Sequence, residues 1–213
     1  MDTKKRIIDA AIHLFNLQGV VNVRLQQIAD EAGISVGNLA YHYYSKEAIV
    51  NKIDHNLSQL IAPVTAGDRN FPSLMDFDNQ LARYYYLLKH YSFYFIDLLE
   101  LKRAYPKLYQ KREGYINQII HQIENWFSLN ADRGLLMPPL RKGHYHIIAH
   151  TIWMVITFWM TQPIDKGVPE ESERIFKEVV WSQVLPYLSD TGRVEFDLMI
   201  ERLLDSYEPS QHL

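Results

Sequence analysis

Apolar residues recur along this chain at helical spacing and hardly ever at the alternation of a strand. Ile7, Ala10, Ala11, Leu14 and Phe15 fall at i, i+3, i+4, i+7 and i+8, which places all five on one face of a helix. Asp2 or Thr3 can cap the start of that helix with a side-chain oxygen, Gln18 is its last residue, and Gly19 can take the left-handed conformation that stops it. A short second helix is predicted over residues 25–32, ending at Gly33. Ser35 caps a third that reaches 41 or 42, and Ser45 caps a fourth that runs to about 61, ahead of Pro63. Pro63, Gly67, Asp68, Asn70 and Pro72 then read as a linker. Longer helices follow over 73–91, 93–104, 106–130, 143–161, 169–188 and 191–207, most of them separated by loops rich in Pro and Gly, notably 134–143 and 162–169. The expected fold is all-α: a three-helix head over residues 1–48 and a larger helical bundle over 49–213.

The stretch QQIADEAGISVGNLAYHY, residues 26–43, has its small and apolar residues where a helix-turn-helix needs them. Ile28, Ala32, Ile34 and Leu39 make a miniature core. Ala29 is small where two helices cross closely, and Gly33 can take the positive φ that turns the chain sharply. The third helix is thereby presented as a separate rod, able to enter a major groove roughly 12 Å wide. The same helix, glycine, helix pattern also occurs in proteins that never touch DNA. On geometry alone, the DNA-binding reading and the structural one stand level.

Composition narrows the field. Hydrophobic residues make up 47% and charged residues 22%, a balance that supports a packed core and not disorder. The absence of cysteine removes disulfides, thiolate zinc sites and cysteine nucleophiles, and fits a reducing compartment. A net charge of -3 is the wrong sign for a protein that coats nucleic acid nonspecifically. Within residues 1–55, Lys4, Lys5, Arg6, Arg24, Lys46 and Lys52 are matched in number by Asp2, Asp9, Asp30, Glu31, Glu47 and Asp54. Affinity for DNA must therefore come from local placement of charge. The polar first residues do not lead into a signal-peptide core. The longest apolar run, 147–160, contains His150, Thr151 and Thr157 and falls short of the roughly twenty apolar residues a membrane span needs. A cytoplasmic protein without membrane contact is expected. No glycine-rich phosphate loop, nucleophile elbow or carboxylate pair with a convincing context is present, so enzyme chemistry is not expected. His144, His146 and His150 include an i, i+4 pair that a metal could use, but they have no cysteine and no acidic neighbour in sequence. They read as surface or cavity positions, and no metal or cofactor is expected. Glu170, Glu171 and Glu173 are most simply a favourable placement of charge at a helix start.

The run TKKRIIDAAIHLFNLQG, followed by IADEAGISVGNLAYHYYSKEAI, resembles the amino-terminal signature of the TetR family of transcription regulators. The landmarks are Ala10, Ala11, Leu14, Phe15 and Gly19 in the first helix, then Ile28, Ala29, Ala32 and Gly33, and the closing Ser45, Lys46 and Glu47. The resemblance covers about residues 3–50, and three helices agree in spacing at once. The body is similar only in length and helical character. Two positions depart from the pattern. Ala40 stands where the family usually has an aromatic residue, most often Tyr, which puts one phosphate contact in doubt. Arg24 stands where Thr or Ser is common, and it brings a charge that could replace that contact.

The resemblance implies a homodimer whose paired heads read a palindromic operator in double-stranded DNA, most simply as a repressor released by a small-molecule effector. Carried over position by position, Ser35, Val36, Gly37 and Asn38 face base edges: Asn38 to pair with an adenine, Val36 to touch a thymine methyl, and Gly37 to let backbone approach. Arg24, Tyr41, His42 and Lys46 fall to phosphates, with Lys46 near a helix start whose free amides also favour an anion. For Tyr41 and His42, packing at the end of a short helix stays equally open. The implied effector cavity lies among the helices of 73–161, with Tyr84, Tyr85, Phe95, Tyr115, Trp126, His150 and Trp153 as candidate lining and an apolar or aromatic effector as candidate guest. Ordinary core packing is the default role of each. Helices 143–161 and 169–188 are the implied dimer elements, two from each subunit forming a four-helix bundle. Ile148, Ile152, Val155 and Trp159 make one stripe, Ile175, Val179 and Leu185 lie on the other helix, and Trp153 and Phe158 add apolar area elsewhere. Ala40 and the neutral head keep a second reading alive, a helical interaction protein whose head no longer binds DNA.

Overall fold

Polar side chains set the helix starts. The Asp2 carboxylate accepts the backbone N–H of Lys4 at 3.0 Å, Ser35 Oγ that of Asn38 at 3.2 Å, and Ser45 Oγ that of Ala48 at 3.2 Å. Ser73 and Asp76 bond each other's backbone N–H reciprocally, at 3.1 and 3.3 Å. The computed structural model describes residues 2–65, 73–161 and 172–207. In chain order the helices are α1 (Thr3–Gln18), α2 (Leu25–Glu31), α3 (Val36–His42), α4 (Lys46–Thr65), α5 (Leu74–His90), α6 (Ser92–Ile96), α7 (Leu98–Ala104), α8 (Pro106–Asp132), α9 (His144–Thr157), α10 (Glu173–Trp181) and α11 (Asp190–Tyr207). Short 3-10 turns follow α9 at Trp159–Thr161 and α10 at Leu185–Tyr187. No strand forms among the described residues, and Leu136 and Leu188 make an isolated antiparallel bridge.

The expected elements are modified at four places. The predicted helix over 93–104 is two helices, broken at Asp97 (φ -90°, ψ 32°), whose carboxylate accepts the backbone N–H of Val20. The helix predicted to reach 188 ends at Trp181. Ser182 Oγ turns back to the carbonyl of Val179 at 2.7 Å, and Pro186 has no N–H to carry a helix onward. Helix α9 ends at Thr157, short of the expected 161. Helix α4 continues through Pro63 to Thr65, with one backbone bond forgone. The linker residues Gly67, Asp68, Asn70 and Pro72, the loop over 162–169, and Glu170 and Glu171 lie outside the described residues.

Two compact units result. The first comprises residues 1–66, 86–117 and 160–168, and the second 67–85, 118–159 and 169–213. The head expected over 1–48 lies wholly inside the first, where Ile7, Phe15, Ile28, Leu39, Ile49 and Ile53 share one core with Phe93, Tyr94 and Leu101. Phe15 meets Phe93 edge to face at 5.3 Å.

The second unit is built on Leu74, Phe77, Leu81 and Tyr84 of α5, Trp126 and Phe127 of α8, Ile152 of α9, and Phe176 and Val180 of α10. At its centre the Asp78 carboxylate is buried. Lys177 Nζ donates to it at 2.9 Å and Trp181 Nε1 at 3.0 Å, and Lys177 also meets Glu173 at 2.9 Å. Burial pulls the Lys177 pKa down, but its hydrogen bonds and charge contacts with Asp78 and Glu173 outweigh burial and leave it above the usual 10.5.

One expected surface is corrected. Ile148, Ile152 and Trp159 turn into the core, and Val155 is half-buried. The outward stripe of this segment is Ile147, Met154 and Phe158, 50%, 41% and 44% exposed. Neighbouring residues on a helix point about 100° apart, so a stripe displaced by one position serves another face. On α10 the buried positions are Phe176, Val180 and Trp181, which leaves Ile175 and Val179 half-buried.

Candidate nucleic-acid interface

The turn between α2 and α3 is closed by backbone geometry that needs glycine. Gly33 has φ 64°, and its N–H reaches the carbonyl of Asp30 while that of Ile34 reaches Ala29, both at 3.0 Å. Two carbonyls at the end of α2 are satisfied this way, and the chain is redirected into α3. From α1 the Arg6 guanidinium donates to the carbonyls of Ala32 and Gly33, tying the turn to the head core. Ala29, fully buried, allows the close crossing that its size predicts.

Helix α3 is moored by a single side chain. Leu39 is fully buried, whereas Val36, Gly37, Asn38, Ala40 and Tyr41 are exposed, as is the capping Ser35. The Asn38 amide makes no hydrogen bond to any described residue, and both its donor and its acceptor are open to a partner. Tyr41, 86% exposed, meets the half-buried His42 ring edge to face at 5.2 Å. Arg24, at the start of α2, is exposed, and its backbone N–H is held by Gln27 Oε1 at 2.8 Å.

Two residues differ from what their types suggest. Lys46 directs Nζ at the carbonyls of Val20, Val21 and Val23, at 2.8, 3.0 and 2.9 Å, which engages all three of its N–H donors. Burial lowers its pKa, opposed by the charge of Glu100. In this arrangement Lys46 braces the connection between α1 and α2. Tyr44 was not singled out by the sequence, yet it is 85% exposed just beyond α3 while Tyr43 beside it is buried. The in-out alternation after a helix end is the signal that could have found it.

The first unit also fastens the head to the corner between α5 and α6. Asn16 Nδ2 donates to the carbonyl of His90 at 3.0 Å, and its Oδ1 accepts from Ser92 Oγ at 2.9 Å and the N–H of Phe93 at 3.0 Å. The Tyr94 hydroxyl donates to Asp54 of α4 at 2.6 Å within the core, and burial together with Asp54 raises its pKa.

The candidate cavity residues are dispersed. Tyr84, Tyr85 and Trp126 are buried in the second unit, Trp126 stacked on Phe77 at 4.3 Å, and burial raises the Tyr84 pKa. His150 is exposed, with its ring 5.4 Å from the half-buried Trp153. Phe95 and Tyr115 belong to the first unit, where Arg112 lies over the Phe95 ring at 5.8 Å. Of the three histidines, His144 Nδ1 accepts the N–H of Leu140 at 3.2 Å and His146 Nδ1 lies 3.0 Å from Glu124, an acidic partner remote in sequence. Among the described residues no group of three potential ligands is placed to hold a metal.

Comparisons with known proteins agree with this geometry. The family described as bacterial regulatory proteins, tetR family, matches residues 7–53, and the TetR family described as a bacterial transcriptional repressor matches residues 54–196. A stretch of 72 residues is 38% identical to the HTH-type transcriptional regulator RutR of Escherichia coli (strain K12), 33% of this chain and 34% of that protein. Another of 78 residues is 32% identical to the HTH-type transcriptional regulator SrpR of Pseudomonas putida, 35% of this chain and 37% of that protein. The matches thus span about a third of the length of these relatives. Among solved structures, a TetR-family transcriptional regulator from Marinobacter aquaeolei VT8 is 26% identical with a TM-score of 0.83, covering 94% of this chain and 98% of its own. The regulator FadR from Bacillus subtilis, in complex with stearoyl-CoA, is alike in fold at 17% identity and a TM-score of 0.60, over 84% of this chain and 97% of its own.

Proposed function

The chain belongs to the TetR family of bacterial transcription regulators, and from that premise we propose that it is a cytoplasmic repressor, bound as a homodimer to a palindromic operator and released by a small-molecule effector. The observation that carries this reading is the exposure of α3 on every position except Leu39 and the half-buried His42. A helix held by one buried side chain, with a free carboxamide in its first turn, has the form that major-groove readout requires.

Residues 1–48 serve as the DNA-binding head and 49–213 as the effector and dimerisation region. Ser35, Val36, Gly37 and Asn38 take the base edges, and Arg24, Tyr41 and His42 the phosphates, with Tyr44 added by its exposure. Lys46 acts first through the loop it braces. The dimer forms through the outward stripe of Ile147, Met154 and Phe158, together with the 39% exposed Leu185, because apolar side chains of this size aligned on one face favour a self-complementary partner. The effector is small and aromatic or apolar, received in the second unit beside Tyr84, Tyr85 and Trp126. Its signal reaches the head through the corner that Asn16 clamps, since a shift of His90 or Phe93 pulls directly on α1. No described helix is long and apolar enough to cross a membrane, which is compatible with action on DNA.

Replacing Asn38 by Ala tests the base-reading role. The variant is expected to lose about 1–3 kcal/mol of operator affinity and to relax discrimination at one base pair per half-site, with the salt dependence left intact because no phosphate contact is removed. Binding isotherms on operator variants measure this. Unaltered discrimination would contradict the assignment.

A further inference from the structure

In the core of the second unit the buried amide of Gln80 has no partner among the described residues. Gln80 of α5 is 6% exposed, and neither Nε2 nor Oε1 has a hydrogen-bond partner among the described residues. The indole N–H groups of Trp126 and Trp159, 5% and 2% exposed, likewise have no partner among the described residues. This is not the habit of the fold elsewhere. Buried Asn130 donates to the carbonyl of Trp126 at 2.9 Å and accepts from Arg133 at 3.2 Å, Asp78 is bonded by Lys177 and Trp181, and Asp54 is bonded by Tyr94. An unmade hydrogen bond in such a place costs about 1–3 kcal/mol. Gln80 carries two open functions, and the indoles carry two more.

From the two open functions of Gln80 we infer that it is the recognition group of the effector site, and that the effector is an uncharged, flat aromatic lactam or imide. The inference rests on the reading of the chain as an effector-responsive regulator and specifies its ligand. A primary carboxamide presents a donor and an acceptor side by side. Its complement is a cis-amide edge, which offers a carbonyl to Nε2 and an N–H to Oε1 in two parallel hydrogen bonds. The surroundings ask for a flat aromatic body. Phe77, one turn before Gln80 on α5, stacks on Trp126 at 4.3 Å, and Tyr84, one turn after it, is buried. A charged ligand is disfavoured because the buried carboxylate Asp78 is already paired with Lys177, and a further buried charge is costly unless it is paired.

Thermal unfolding of the full-length protein with oxindole and phthalimide, and with indene as a bicyclic control lacking the amide edge, tests the inference. The wild type is expected to be stabilised by the two amides in a saturable manner and unaffected by indene. Gln80→Leu is expected to melt no lower than the wild type, because an orphaned amide has been removed, and yet to bind the amides at least roughly tenfold more weakly. A Gln80 that merely holds ordered water predicts instead that Gln80→Leu keeps the wild-type response. That outcome overturns the inference, as would equal stabilisation by indene or none by either amide. Operator binding by the untreated protein separates the two levels: a protein that binds its operator but ignores amides loses this inference alone, and one that binds no operator loses the regulator reading itself.

Discussion

Met154→Glu is expected to convert the proposed dimer to monomers and to lower operator affinity by about a hundredfold or more. Met154 sits mid-stripe on the outward face of α9, two turns after Ile147 and one before Phe158, and all three are large apolar side chains at least two-fifths exposed. A twofold interface is built from the same patch on both protomers, so one substitution brings two carboxylates into the buried contact. Like charges set against each other in an interface cost several kcal/mol. The loss on DNA follows from geometry: two heads joined in one dimer engage two half-sites with an avidity gain on the order of a hundredfold to ten-thousandfold, and a monomer forfeits it. The protomer fold should survive because the position lies outside the core. Light scattering at micromolar concentration, circular dichroism and operator titration measure the three parts. A helical, dimeric Met154→Glu protein would remove the α9 face as the interface.

Lys177→Met is expected to destabilise the second unit by about 3–5 kcal/mol, the usual result of taking one partner from a buried ion pair. The methionine fills much of the same volume, so the loss reports the charge. Among the described residues Asp78 would keep only the Trp181 indole N–H, at 3.0 Å, in a site where its side chain is 3% exposed. Denaturant unfolding measures the deficit. In the wild type the sign of the pH dependence is fixed by the lysine. Its folded pKa is raised, so the stabilisation is complete below the ordinary value of 10.5 and is lost only as the pH climbs through the raised one. A loss below about 1 kcal/mol in the variant would mean that Asp78 finds another partner.

Much of the head could be read from residue types because its decisive interactions are local. Asp2, Ser35 and Ser45 cap helices whose first turns lie two or three residues away, and Gly33 supplies a positive φ that few other residues take. What escaped depends on partners remote in sequence. Nothing near Asp97 announces a helix break, because the break accompanies a bond to the N–H of Val20. Lys46 reads as a free cation at a helix start until the carbonyls of Val20, Val21 and Val23 are gathered around it by the fold. On α9 both faces are apolar, Ile148 and Ile152 on one and Ile147 and Met154 on the other, and periodicity cannot say which of two apolar faces meets the core. The dispersed aromatic set has the same origin. Tyr115 and Trp126 share α8 but fall in different units, a division set by packing and not by spacing.

The most direct test of the central claim, that paired α3 helices lay their exposed residues against base edges, is selection of bound duplexes from a random-sequence DNA pool at moderate salt. The account predicts enrichment of a palindrome with half-sites about one helical turn or a multiple of it apart, which Asn38→Ala blurs at one symmetry-related base pair in each half. Enrichment of no motif, or of a motif without twofold symmetry that Asn38→Ala leaves unaltered, would contradict it.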